Sequence, residues 1–382
     1  MKAINLKVFT AVAVLAITLL CVYVLPVKYF VDSGLRLDQY IFAAAIVVAY
    51  IVSIKVYKFK AFEALFLALI LLIILIKQDI SYIHLLGIVV ISKIAHDKMV
   101  LEKITTSRVI KYMLFISLIC TLAYSILFAG IDARYMYTAI GEPNMSGFAL
   151  LMLFLMIRKL NRRLGNVLLC LGVLTFSRSY LLSVLIFFVI ERFGDDIKNK
   201  ILKFGIPKIT LIFVSVLIGL SSVFIYLHSN NSLVDEYASG VERYTVLNDY
   251  SNYFRFTVNT NVLSVYEKNP SMLLTGMENE KFFDLNLGVV RENEGRYRAI
   301  KPHNYIFAYL QIYGIWALLI IVATYFALKK LINKNNISIV LVVLFNAMFL
   351  GIGLSSYWLF ITVLALVMYV GKNDDTELSR QI

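Results

Sequence analysis

Apolar runs long enough to cross a lipid bilayer follow one another along most of this chain, and that pattern leaves few folds open to it. A bilayer's hydrocarbon core takes about 20 predominantly apolar residues in a helix. Runs of roughly that kind centre on 6–25, 38–56, 61–76, 79–95, 109–130, 143–159, 164–176, 179–192, 206–227, 303–328, 337–352 and 355–370. Inside lipid every backbone N–H and C=O must find its partner within the structure, so such runs become helices. Of the 382 residues 60% are hydrophobic and 16% charged, with mean hydropathy +0.80. Soluble domains average about 45–50% apolar, so a single helical bundle in lipid displaces the two or three soluble domains that length alone suggests. The first run follows Lys2 and Lys7; it is too long for a signal-peptide core, lacks a small-residue cleavage site and is counted as a span.

The connections carry a charge bias. The formal net charge is +13, and the positive-inside rule accounts for it more simply than nucleic-acid binding. With the N-terminus inside, the inner segments hold 24 of the 37 Lys and Arg, among them Lys55, Lys58, Lys93, Lys98, Arg158, Arg162, Lys198 and Lys330. Eight more lie in one long outer loop, 228–302, and long loops are exempt from the rule. The expectation is an all-α polytopic bundle of about twelve spans with both ends inside: spans one to nine over 1–227, the outer loop over 228–302, spans ten to twelve over 303–370, and a polar, disordered inner tail over 371–382. The seventh and eighth runs are short and join through Thr175-Phe176-Ser177-Arg178-Ser179, which reads as a broken or tilted pair. Cys21, Cys120 and Cys170 all lie in apolar runs and read as core residues, not as a disulfide framework or zinc site.

The loop is the one connection large enough to fold on its own account. Phe254, Val258 and Val262 fall on one helical face, ahead of Tyr266 and Asn269-Pro270, and predict an amphipathic helix. A turn follows at Gly276, then Arg291, Arg296 and Arg298, and the next span opens at Pro302-His303-Asn304. With 8 basic and 10 acidic residues the loop is no nucleic-acid patch.

Arg178 sits between two apolar helices in a very short outer turn. An arginine near membrane depth is expensive and faces a cavity or a partner. It either snorkels and pairs helices or binds an anion, for which its planar fork suits phosphate. His303 opens a span at the outer surface; it is either structural or a base able to take a proton near neutral pH. None of His84, His96, His228 and His303 has metal-ligand spacing to another, so no metal is expected. No Walker loop or GxGxxG is present, and Asp195-Asp196 lacks the spaced carboxylates of a nucleotide-sugar metal site. Glu63 is a proton-coupling group or, as expected for a residue at a helix end, reaches the surface.

Four stretches, in order, carry a resemblance. They are Gly141-Glu142-Pro143-Asn144 at the start of the sixth span; Ser177-Arg178-Ser179; Arg255 with the amphipathic helix, Asn269-Pro270 and Gly276; and His303-Asn304, nine residues, then Gly314-Ile315-Trp316-Ala317. Together, over roughly 135–317, they resemble the bacterial O-antigen ligase/polymerase superfamily. Ala317, where the ligases often have glycine, and Met277, where a second glycine is common, depart from the ligase pattern, and the chain looks most like a Wzy-type O-antigen polymerase.

The resemblance implies a metal-independent, cofactor-free membrane glycosyltransferase in the bacterial inner membrane. Its site would face the periplasm and act on glycans carried by undecaprenyl pyrophosphate. His303 and Arg178 would be catalytic, and Arg255, Arg291, Arg298, Asn304 and Asn144 would bind the pyrophosphate and glycan. The bilayer and a polysaccharide chain-length regulator are the other implied partners. An O-antigen ligase and, from a different class, a transporter of lipid-linked glycan are the alternatives. A transporter should show charged residues deep in several spans around a central path, and this sequence shows few.

Overall fold

The computed structural model describes residues 2–25, 37–58, 61–129, 143–175, 177–230, 250–285, 302, 304–350 and 356–370. Among them every regular element is helical. In chain order these are α1 (Lys2–Leu19, continued by a π-helical turn, Leu20–Val24), α2 (Leu37–Val56), α3 (Ala61–Lys77), a 3₁₀ segment (Ile80–Leu85) leading into α4 (Leu86–Ala95), α5 (Lys98–Thr106), α6 (Arg108–Ala129), α7 (Pro143–Leu160), α8 (Arg162–Val173), α9 (Arg178–Arg192), α10 (Asp195–Phe204), α11 (Ile206–Asn230), α12 (Tyr250–Lys268), α13 (Met272–Thr275), α14 (Asn279–Leu285), α15 (Tyr305–Tyr313), α16 (Trp316–Lys329), α17 (Ile337–Leu350) and α18 (Ser356–Met368). Among the described residues, four stretches are long and apolar enough to cross a bilayer: Ile4–Val24, Leu37–Val56, Arg108–Leu127 and Ile206–Val223. Shorter apolar helices cover Tyr82–Ala95, Trp316–Lys329, Ile337–Phe349 and Tyr357–Met368.

The chain divides into two compact units. The first comprises Met1–Leu202, Ala323–Val343 and Ile352–Ile382, and the second Lys203–Val322 and Leu344–Gly351. In the first, α7 is the central helix. Every residue from Phe148 to Met156 is at most 1% exposed, as a helix apolar on all sides must be when neighbours surround it. Those neighbours are visible at its surface: the Phe148 and Trp358 rings meet edge-on at 5.2 Å, Phe154 meets Phe187 of α9 at 5.9 Å, the Tyr23 hydroxyl donates to the Ala149 carbonyl and that of Tyr369 to Leu155.

One end of this unit gathers charge. Lys7 of α1 pairs with Asp97 at 3.1 Å and lies over the Tyr57 ring, just past α2, at 4.2 Å. Lys93 of α4 pairs with Glu63 of α3 at 2.8 Å, both side chains under 10% exposed. The start of α1, the end of α2, the start of α3 and the end of α4 therefore meet, and the four helices alternate in direction. Glu63 is thus not the surface group its place at a helix end predicts: it is buried against the Lys93 side chain, as a buried ion pair requires a close partner. Cys170 also departs from expectation. Cys21 is buried and Cys120 half-buried, but Cys170 of α8 is exposed.

In the second unit the stretch expected to be helical is α12. Val258 and Val262 are buried together with Val265 and Tyr266, packed with Leu217 of α11, Met277, Phe282 and Phe307; the side chain of Phe254 lies outside the described residues. The run 303–328 is not one continuous helix. It breaks at Gly314 (φ 59°) into α15 and α16, because the backbone there crosses the segment around Gly276 (φ 68°) too closely for a side chain. The expected tail over 371–382 lies outside the described residues.

Candidate functional site

In the first unit the sequence-flagged residues around Arg178 come together at two helix starts. Ser177 caps α9: its hydroxyl accepts from the Tyr180 N–H, donates to Asn144 Oδ1 at 3.1 Å and lies 2.8 Å from the Ser179 hydroxyl. With its one proton given to Asn144, Ser177 is left to accept from Ser179 and Tyr180, which uses its full capacity. Thr175 fixes the approach, accepting from the Ser177 N–H and donating to the Gly172 carbonyl. Asn144 stands in the first turn of α7 and Arg178 is the first residue of α9. Glycine at 147 lets the helices close: a Cβ there would stand 3.1 Å from Cβ of both Ser177 and Tyr180. Gly172 leaves room for the Tyr180 ring, whose hydroxyl reaches the Leu169 carbonyl at 2.7 Å.

The electrostatic consequence is specific. A helix N-terminus carries the equivalent of about half a positive charge and a set of outward N–H groups. Here two such ends, of α7 and α9, converge, and Arg178 is the first residue of α9. That arrangement attracts an anion. The short pair of runs is a helical hairpin: the 12 residues of α8 rise only about 18 Å, well short of a ~30 Å hydrocarbon core.

The second unit assembles the other flagged stretches. Asn304 is fully buried and caps α15, its Oδ1 accepting from the N–H groups of Ile306 and Phe307 at 2.8 and 3.2 Å. Its Nδ2 donates to the Met348 carbonyl, and its backbone N–H donates to Asn259 Oδ1 at 3.1 Å. The carboxamide expected to bind substrate is therefore committed to the protein. Asn259 lies one turn along α12 from Arg255, so this bond anchors the chain next to position 303 at the level of the Arg255 turn. His303, Arg291 and Arg298, and the side chain of Arg255, lie outside the described residues.

The segments that carry Gly276 and Gly314 are joined by hydrogen bonds. Met277 N–H donates to the Gln311 carbonyl (2.6 Å) and Ile315 N–H to the Leu273 carbonyl (2.8 Å). The Trp316 indole N–H donates to Leu274, Gln311 to the Met277 carbonyl, and the Tyr266 hydroxyl to the carbonyls of Leu310 and Gln311. Burial pushes the Tyr266 phenol up, which keeps it a donor. Sequence reasoning missed Asn259 and Gln311. The polarity of Gln311 inside the apolar α15 pattern is the signal that could have found it, since a buried amide has a partner; Asn259 lies in a helix with two other asparagines, and its pattern gives no such signal.

Arg178 with Asn144 belongs to one unit and Asn304 with Arg255 to the other. Comparison with protein-family models, curated proteins and solved structures finds no match for this chain.

Proposed function

We propose that the chain is a membrane glycosyltransferase that polymerises undecaprenyl-pyrophosphate-linked oligosaccharide units at the periplasmic face of a bacterial inner membrane. In this reading about twelve spans cross the bilayer, and residues 228–302 form the periplasmic loop. The carrying observation is the convergence of the α7 and α9 N-termini at the Ser177–Asn144 bond, with Arg178 opening α9. An anionic group at the end of a lipid is the ligand that suits two positive helix ends and an arginine in an apolar chain.

His303 takes the proton of the acceptor hydroxyl, whose oxygen attacks the anomeric carbon of the donor sugar. The bond from that carbon to the pyrophosphate oxygen breaks, and the carrier leaves as its pyrophosphate, its growing charge met by Arg178 and the helix ends. Arg255, Arg291 and Arg298 contribute further positive charge. Cationic stabilisation of a developing anion is often the largest catalytic term, and a placed histidine typically adds about 10²–10⁴-fold. Asn304 holds α15 in place, a positioning role.

Gel analysis of surface polysaccharide from a deletion strain tests the reading. Single repeats on lipid A-core are expected. Long chains retained on the carrier lipid would identify a ligase instead, and unchanged polysaccharide would reject both. Restoring the strain with His303→Ala, at normal protein level, should leave single repeats; normal polymer would remove His303 from the mechanism.

A further inference from the structure

An apolar groove of about 400 Å³ runs between α1 and α2, lined from α1 by Leu6, Phe9 and Ala13 and from α2 by Ala45, Val48 and Val52. Both helices are long and apolar enough to cross a bilayer, and in the membrane reading above this groove opens to hydrocarbon. Phe9 and Val48, 69% and 60% exposed, form its lips, and the alanines leave its floor low.

Its dimensions and its ends are unequal in an informative way. From Ile41 to Val52 the α2 wall rises about 16 Å, close to half of a ~30 Å hydrocarbon core. The groove is therefore one leaflet deep. The contact of Lys7 with the Tyr57 ring shows that the start of α1 lies beside the end of α2, and this shared end is basic. Lys55, one turn beyond Val52 on the same face, is exposed, as is Lys58 just past the helix. The opposite end, at Ile17 and Ile41, is apolar.

We propose that this groove holds an acyl chain of one anionic phospholipid, its headgroup at the basic end against Lys55 and Lys58. A hydrocarbon channel one leaflet long with cations at the headgroup level matches such a lipid in both length and charge. A second copy of the chain fits less well, because a copy aligned with this one brings its own exposed Lys55 and Lys58 to the same end.

The test is native mass spectrometry of the full chain in detergent, after exchange with mixed micelles of equal phosphatidylglycerol and phosphatidylcholine. One phosphatidylglycerol should stay bound in preference to phosphatidylcholine. Ala45→Trp, which fills the groove, should abolish the adduct at unchanged thermal unfolding, and Ala44→Leu, on the open lip, gives the same readout if the tryptophan variant does not fold. Replacing Lys55 and Lys58 by glutamine should keep a bound lipid while lowering the preference for phosphatidylglycerol roughly fivefold per lysine. Equal retention of the two lipids by the native chain overturns the proposal. So does an adduct that survives both groove-filling substitutions, or a native dimer that Ala45→Trp dissociates. None of these readouts depends on polymer formation.

Discussion

Gly276 and Gly314 cross each other backbone to backbone. The place of a Cβ on Gly276 is taken by the Ile312 carbonyl, and the place of a Cβ on Gly314 by the Leu273 carbonyl. Each lies on the segment that carries the other glycine, and the amide of each stands about 3 Å from the other's missing Cβ. The crossing ties the residues after α12 to the α15–α16 break.

Alanine at either position meets two obstacles at once, a backbone conformation at φ 68° or 59° and a carbonyl, of Ile312 or Leu273, where the new Cβ must stand; the Leu273 carbonyl cannot withdraw without losing its bond from the Ile315 N–H. Gly276→Ala and Gly314→Ala should each destabilise by about 3 kcal/mol or more. The double variant should cost less than the sum, because one displaced crossing relieves both clashes. Thermal unfolding in detergent measures this.

The buried Glu63–Lys93 pair predicts an asymmetric mutant cycle. Glu63→Leu or Lys93→Met alone leaves one buried charge without its partner and should cost about 3–5 kcal/mol. The two together should recover most of the loss, since two apolar groups replace the pair. A double variant as unstable as the worse single one would show that the pair holds more than itself.

Asn304→Ala removes the α15 cap and strands the Met348 carbonyl. The loss should be about 2–4 kcal/mol. Asn304→Ser, which restores a cap but not the donor to Met348, should recover about a third of that. If Asn304 acted on substrate instead, both variants would unfold like the native chain while polymer yield fell.

At the Ser177–Asn144 junction, Ser177→Ala should cost about 1 kcal/mol as a lost cap. Arg178→Lys keeps the charge but loses the paired geometry. It should lower polymer yield much further than its small effect on thermal unfolding explains, and Arg178→Ala should leave single repeats. Equal polymer yield from Arg178→Lys and the native chain would argue for a point charge rather than a bidentate contact.

The helical class and most helix positions were legible in the apolar runs: 38–56 and 61–76 reappear as Leu37–Val56 and Ala61–Lys77. The Val258–Val262 face of α12 was legible as well. Each of these is fixed by a short-range periodicity that one helix carries alone. The burial of Glu63 was not, because only the fold shows that the end of α4 brings Lys93 within 2.8 Å of it. Nor was the break at Gly314, which depends on a carbonyl 41 residues away.

By itself, then, the sequence determined that this chain is helical and apolar along most of its length, and which residues are chemically able to serve a site. The tertiary structure decided which of them meet. Asn144 reaches Ser177 across 33 residues and Asn259 reaches Asn304 across 45, and Asn304, a candidate ligand by type, is spent on capping α15. Periodicity is a property of neighbours in the chain, whereas a hydrogen bond between two helices depends on how glycines such as Gly147 and Gly276 let their backbones approach.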